Sequence, residues 1–338
     1  MTASNTRNQT SINRRDFLKI TAIAGLAGLG TLAGRNLITD EAQYKITETH
    51  FLMGTIVNFS VIAPDREVGR EAIRRTVAEM ERLIAIFDYR LAGSPLAQLN
   101  RQGNLQDAPI ELVEIIQHSI RLGMLSGGAF DITVLPLLEA FRAGHTDTDH
   151  LLEQVNYQSI LLDGRQIVFA SPGMSITLDG IAKGRVVDAG VAVLKELGFE
   201  NVLVEAGGDM MAVNANPEED PWTIAISNPR PSAGQDFNVT FSVKNKAVTT
   251  SGDYLNYYTP DYSRYHIIDP RRGSSPVELS SATVITDNAT EADALSTILM
   301  VLGVKEGLEF VRGLPDVEAL LVTKELVIHR TDGFPQHG

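Results

Sequence analysis

The 338-residue sequence contains no cysteine. Disulfide frameworks, thiolate metal sites, cysteine nucleophiles and lipid attachment through an N-terminal cysteine are thereby excluded, and any metal must be held by oxygen or imidazole. Basic residues are scarce too: 29 Lys and Arg stand against 42 Asp and Glu, a formal charge of −13. With no run of Lys or Arg to form a stripe, nucleic acid is not an expected partner, because neutralising phosphates supplies most of that affinity. No apolar run reaches the roughly 20 residues that span a bilayer. Residues 45–330 contain neither an internal repeat nor a Pro/Gly/Ser-rich linker. What is present, 43% hydrophobic and 21% charged residues, is the composition of a globular chain long enough to bury a sizeable core without cross-links.

The N-terminus reads as a targeting segment. Arg14-Arg15-Asp16-Phe17-Leu18-Lys19 precedes an apolar, glycine-broken stretch from Ile20 to Gly34. This resembles a twin-arginine export signal, with paired Arg followed by a weakly hydrophobic region. The expectation is a signal over residues 1–39 and a periplasmic, still more acidic mature protein. Because that route carries folded proteins, it also hints at a cofactor or a need to fold before export.

Hydrophobic periodicity predicts mixed α and β structure. A strand is expected from Ile56 to Ile62 and an amphipathic helix from Val68 to about Phe87. A second helix runs from Pro109 to Ser126, closed by Gly127-Gly128. Asp179 is placed to cap a third helix running to Leu197, with Gly198 beyond it. Strands are then expected at Val202–Glu205, Trp222–Ser227, Phe237–Val243, Ala247–Thr250, Tyr265–Ile268 and Ala282–Thr286. A last helix from Ala289 to Leu302 opens on the capping-box pattern Asn288-x-x-Glu291 and ends at Gly303. Helices dominate the first half and strands the second, which argues an α+β fold of mixed, largely antiparallel sheets with flanking helices. The absence of a linker makes residues 46–330 one catalytic unit of two interleaved lobes.

Four groups of residues carry chemical potential. Asp293 and Thr297 sit i and i+4 on the last helix, so a carboxylate and a hydroxyl share one face and could take a hard cation such as Mg²⁺. Taken alone, such a pair is more often a solvated helix face. Leu178-Asp179-Gly180-Ile181-Ala182-Lys183-Gly184 brings a helix N-terminus and a lysine together, which favours a phosphate or pyrophosphate, although a tight turn with a surface lysine has the same sequence. His266 lies between Tyr265 and the pair Ile267-Ile268 and could orient or deprotonate a nucleophile, or be a core histidine bonded to backbone. Gly127-Gly128-Ala129-Phe130-Asp131 presents an aromatic and a carboxylate on a glycine turn, suited to stacking a ring or to helix-end packing.

In order along the chain, Phe51-Leu52-Met53-Gly54-Thr55, Ser94 to Asn100, Gly128 to Asp131, Asp179 to Gly184, Gly207-Gly208-Asp209, Thr250-Ser251-Gly252, His266 to Pro270 and Ala292 to Thr297 resemble the ApbE family, whose members are FAD:protein FMN transferases. The resemblance covers about residues 46–325. It implies transfer of FMN from FAD to a threonine hydroxyl of a target flavoprotein, forming a phosphoester-linked flavin and releasing AMP. On the same resemblance Asp293, Thr297 and a backbone carbonyl at or beside Gly180 hold Mg²⁺. Met53, an aromatic that is either Phe87 or Tyr89, Ala129, Phe130, Asp131, Lys183, Thr250 and Ile268 contact FAD. His266 and Asp293 are catalytic. The implied acceptor is a membrane-associated or periplasmic flavoprotein.

The chain departs from the family pattern at two places. Thr177-Leu178-Asp179-Gly180 stands where the family has Asp-Leu-Gly-Gly, so the carboxylate is displaced by two positions, and Asp88 to Ser94 is irregular. With its export signal, the sequence is similar to a NosX-like branch serving nitrous-oxide-reductase accessory flavoproteins. A Mg²⁺-dependent FAD pyrophosphatase would use the same metal and lysine with water in place of the hydroxyl. A periplasmic flavin carrier would need neither Asp293 nor His266.

Overall fold

The computed structural model describes residues 43–145, 147–215, 221–231 and 237–335. The expected export signal therefore lies outside the described residues. The chain opens with strands β1 (Tyr44–Leu52) and β2 (Thr55–Ala63), a hairpin whose two turn residues are left-handed, Met53 at φ 53° and Gly54 at φ 71°. That conformation matches the strands' own twist. Helix α1 (Arg66–Phe87) follows, capped by Asp65, which accepts from Glu67 N at 2.8 Å and Val68 N at 3.2 Å. Its buried Ile73, Met80, Leu83 and Phe87 recur at helical spacing and face the core.

A second layer is inserted next. It holds α2 (Pro95–Gln102), β3 (Asn104–Leu105), α3 (Ile110–Leu125), α4 (Leu135–Arg142), β4 (Ile160–Asp163) and β5 (Gln166–Phe169), with the strands in the order β3-β5-β4. The chain then returns to the first layer through α5 (Ala182–Glu196), β6 (Val202–Ala206) and β7 (Asp209–Val213). The hairpin β8 (Trp222–Ile226) and β9 (Val239–Val243), β10 (Lys246–Gly252), β11 (Leu279–Thr286), α6 (Ala289–Arg312), β12 (Glu318–Thr323) and β13 (Ile328–Arg330) complete it.

Eight strands form the main sheet in the order β1-β2-β6-β7-β10-β11-β12-β13, each pair antiparallel. The α+β expectation holds. Both sheet faces are covered, so its central strands lose the alternation of a half-exposed sheet. Met211, Ala247, Val284 and Leu321 enter the large core under the helices, while Met210, Val248, Ile285 and Leu320 pack with Trp222 and Phe241 of the β8–β9 hairpin.

Three expected features differ. Tyr265–Ile268 is not a strand; it lies in the 253–278 connection, held by isolated bridges Tyr257 to Tyr265 and Asp269 to Ser274. Ser275 pins it, donating to Tyr265 O at 2.9 Å and accepting from Tyr265 N at 3.0 Å. Gly303 does not end the last helix. With φ 75° and ψ −167° it kinks the chain, and helix resumes to Arg312. Asp179 does not cap α5, whose N-cap is Ile181 without a side-chain bond, because the Asp179 carboxylate is engaged elsewhere. Half of the capping box is as expected: Asn288 accepts from Glu291 N at 2.8 Å. The Glu291 carboxylate turns instead to His118 at 2.9 Å.

Candidate functional site

The N-termini of α5 and α6 pack against each other, and this contact builds the site. Gly184 permits it: a Cβ there would lie 2.1 Å from Ala289 O and 2.9 Å from Asp293 Cβ. Asp188 ties the helices by accepting from Ala289 N and Thr290 N, each at 2.8 Å. Asp293, one turn further into α6 and buried, accepts from Gly184 N at 2.9 Å. Thr297 follows on the same face, its Oγ1 3.4 Å from Ser251 Oγ on β10, and Ser251 also bonds Ser296 at 2.7 Å. Gly180 closes on this pair, because a Cβ at Gly180 would stand 3.3 Å from Thr297 Oγ1 and 3.4 Å from Phe130 Cε2.

Lys183 reaches under α6, with Nζ 2.5 Å from Oδ2 of the fully buried Asp209 at the start of β7. Burial alone would lower the Lys183 pKa, but the carboxylates of Asp209, Asp293 and Glu205 overcome it and raise it. Burial holds Asp209 above the usual carboxylate range against the pull of Lys183. The same burial, with the neighbouring charge of Asp209, raises Asp293. Burial raises Glu205 as well, so this carboxylate set favours retaining protons, and a cation bound here would take their place. Among the described residues no cluster of three or more His, Cys, Asp and Glu is placed to hold a metal. Of the residues expected to hold Mg²⁺, Asp293 and Thr297 share one face of α6 and Gly180 packs against Thr297, so the donors on offer are oxygens. This all-oxygen set fits a hard cation that keeps waters and shares substrate phosphates.

His266 is placed by its backbone N–H, which donates to Asn256 O at 3.0 Å. Its Nδ1 is buried and has no hydrogen-bond partner. Burial pushes the imidazole down to about 4; Asp179 opposes that shift, and the charges of Lys183 and Arg142 add to it. The ring is therefore neutral near pH 7 and can accept a proton.

The remaining predicted residues divide. Phe87 is buried in the main core, whereas Tyr89 is half-buried and so is the more accessible of the two aromatics. Arg142 Nη1 donates to Tyr89 Oη at 2.5 Å, and the Arg90 guanidinium covers the ring at 4.3 Å. Met53 lies at the β1–β2 turn, beside the point where Gly207 N donates to Ile56 O at 3.2 Å. Ala129 and Phe130 are buried in the main core. Asp131 spends its carboxylate on structure, accepting from Thr133 N at 2.8 Å and Thr133 Oγ1 at 2.6 Å in its own turn and from Tyr157 N at 2.9 Å. Thr250 bonds Thr283 at 2.8 Å across the sheet. Ile268 packs with Leu135, Leu138 and Phe141 of α4. Sequence reasoning gives Asp209 no role of its own, although its Gly207-Gly208-Asp209 motif is visible in the sequence. A polar cavity of about 950 Å³ opens beside Tyr89 and Arg90, between α2 and residues 168–175, away from Asp293 and Lys183.

A helix N-terminus, a lysine turn and a carboxylate–hydroxyl pair meet at this contact, the arrangement of a protein that acts on a phosphate-containing substrate. The chain belongs to the ApbE family, whose sequence model matches residues 53–321. It is 29% identical over 335 residues to the FAD:protein FMN transferase of Vibrio cholerae, covering 93% of this chain and 96% of that one. It is 32% identical over 288 residues to the Klebsiella pneumoniae FAD:protein FMN transferase, covering 77% and 79%. The crystal structure of the ApbE protein from Thermotoga maritima matches with a TM-score of 0.76 at 28% identity, over 87% of this chain and 98% of that one.

Proposed function

We propose that the protein transfers FMN from FAD to a threonine hydroxyl of an acceptor flavoprotein and releases AMP. The observation that carries this reading is the convergence of Asp293, Thr297, Gly180 and Lys183 at the α5–α6 contact in a chain of this family. In the step, the hydroxyl oxygen forms a bond to the FMN phosphorus, the bond from that phosphorus to the bridging oxygen breaks, and the electron pair leaves with AMP. Mg²⁺, held by Asp293, Thr297 and the Gly180 carbonyl, would neutralise charge on the diphosphate. Lys183 supplies a second positive charge, held in place by Asp209. His266, neutral and with a free Nδ1, takes the hydroxyl proton as the new bond forms. Tyr89 offers the aromatic face on which a ring of FAD stacks.

The acceptor we propose is a periplasmic or membrane-associated flavoprotein, reached after export by the twin-arginine route that Arg14 and Arg15 suggest. Among the described residues no helix is long and apolar enough to cross a membrane. Incubating the mature protein with FAD, Mg²⁺ and a candidate acceptor, then reading in-gel flavin fluorescence of the acceptor band, tests the reading. Release of FMN and AMP with no labelled acceptor would favour a pyrophosphatase; bound but intact FAD would favour a carrier.

A further inference from the structure

The two stretches that depart from the family pattern meet in space. Arg90 Nη1 donates to Asp179 Oδ1 at 3.0 Å and Arg90 Nη2 to Asp179 Oδ2 at 2.5 Å, a two-point fork. Arg90 is fixed from behind as well. Its backbone N–H donates to Asp88 Oδ1 at 2.9 Å, and its guanidinium lies 4.3 Å from the centre of the Tyr89 ring. Arg142 Nη2 stands 3.8 Å from Asp179 Oδ2, adding a second positive charge. Thr177, which occupies the place of the family's aspartate, still stabilises the turn by accepting from Asp179 N at 3.1 Å. Nearby, Asn100 Nδ2 donates to Ile176 O and Asn100 Oδ1 accepts from Ile176 N, both at 2.8 Å. Residues 88–100 thus grip residues 176–179 at two points.

The residue after Asp179 is Gly180, packed between Thr297 and Phe130. Any drift of the turn carries Gly180 away from Thr297. Arg90 and Asp179 are each more than a third exposed, at 46% and 38%, so the pair adds little to global stability and its effect is on local position.

We propose that Arg90 and Asp179 form a brace across the mouth of the site that holds the 177–181 turn, and with it the Gly180 carbonyl, in register with Asp293 and Thr297. Both are positioning residues for diphosphate cleavage. The inference rests on the function proposed above and deepens it.

Hydrogen exchange on the full chain without FAD reads the brace directly, and FAD-dependent AMP release titrated with Mg²⁺ reads its consequence. Arg90→Gln and Asp179→Asn should each speed exchange of amides 177–184 about tenfold. Each should also raise the half-saturating Mg²⁺ concentration about tenfold, with turnover at saturating Mg²⁺ held within about threefold. Arg90→Lys keeps the charge but loses the fork, and should resemble Arg90→Gln rather than wild type. The double variant should be no worse than the poorer single one, and the reversed pair Arg90→Asp with Asp179→Arg should recover part of both losses. Additive losses, or single variants with unchanged exchange and Mg²⁺ requirement, overturn the brace. A wild-type protein that turns over no FAD, while the variants still loosen residues 177–184, refutes the transferase reading and not the brace.

Discussion

Gly184→Ala puts a methyl carbon where the backbone of α6 already stands, 2.1 Å from Ala289 O and 2.5 Å from Ala289 C. No rotamer relieves a clash between two backbones, so α5 and α6 must move apart at their N-termini. Forced overpacking costs roughly 1–3 kcal/mol. The separation also stretches the bond from Gly184 N to Asp293 Oδ2, now 2.9 Å. A hydrogen bond to a charged group contributes about 1.5–3 kcal/mol. The expected loss is therefore roughly 2.5–6 kcal/mol, which for a chain of this size lowers the melting temperature by about 4–8 °C. Asp293 lies on the moving helix, so FMN transfer should fall more steeply than stability, measured below the melting transition. Scanning calorimetry and in-gel flavin fluorescence on the same preparation give both numbers. Gly93→Ala is the control: a Cβ there meets nothing within 4 Å, and both readouts should stay at wild type. A Gly184→Ala protein with wild-type melting and wild-type transfer would refute the proposed helix contact.

Asp293→Ala should abolish transfer while the protein stays folded; full activity at limiting Mg²⁺ would sink the metal assignment. Asp209→Ala removes the carboxylate bonded to Lys183 Nζ and leaves Asp293 and Glu205 as its countercharges, an expected cost of about 1–3 kcal/mol by denaturant unfolding. Adding Lys183→Met should return most of that stability and none of the transfer, and a double variant as unstable as the single would show that the pair is not what Asp209 contributes. His266→Ala should bind FAD and lose transfer, so equal losses in binding and rate would make His266 a binding residue. With the folded imidazole near 4 and the unfolded one near 6.5, the unfolded state binds the extra proton between those values. Stability attributable to this group is thus complete above pH 6.5 and declines on the order of 3 kcal/mol as pH falls to about 4. His266→Gln should flatten that part of the unfolding profile; an unchanged slope contradicts the burial argument. Changing Arg14 and Arg15 to Lys keeps both charges but removes the guanidinium pair, so precursor should accumulate in the cytoplasm. Undiminished periplasmic yield in fractionation would point to the general secretion route.

What could be read from the sequence follows the range of the interactions involved. Helix α1, the Asn288 cap and strands β8 and β9 depend on near neighbours, and their periodicity or capping residues predict them closely. Strand β7 is buried on both faces and shows no alternation, so periodicity does not reveal it or the role of Asp209. Gly303 misled because glycine after a helix usually ends it; here its left-handed φ bends the helix, and apolar packing of Val311 resumes beyond. The segment Tyr265–Ile268 has the composition of a strand, but the Ser275 hydroxyl takes the backbone N–H and carbonyl of Tyr265, and Asn256 O accepts from His266 N.

Asp179 is the most instructive case. At a strand-to-helix turn a lone aspartate is a natural N-cap, and local rules alone place it there. Its partner Arg90 lies 89 positions away, in the other stretch that departs from the family pattern. Each departure by itself looks like lost function: a carboxylate moved off the pyrophosphate turn, and an irregular loop beside the aromatic. Brought together by the second layer of the fold, they make one ion pair in which each charge accounts for the other. A sequence shows such a pair only as two separate anomalies, because the distance that joins them is set by the packing of α2 and α4 against the site rather than by anything within either stretch.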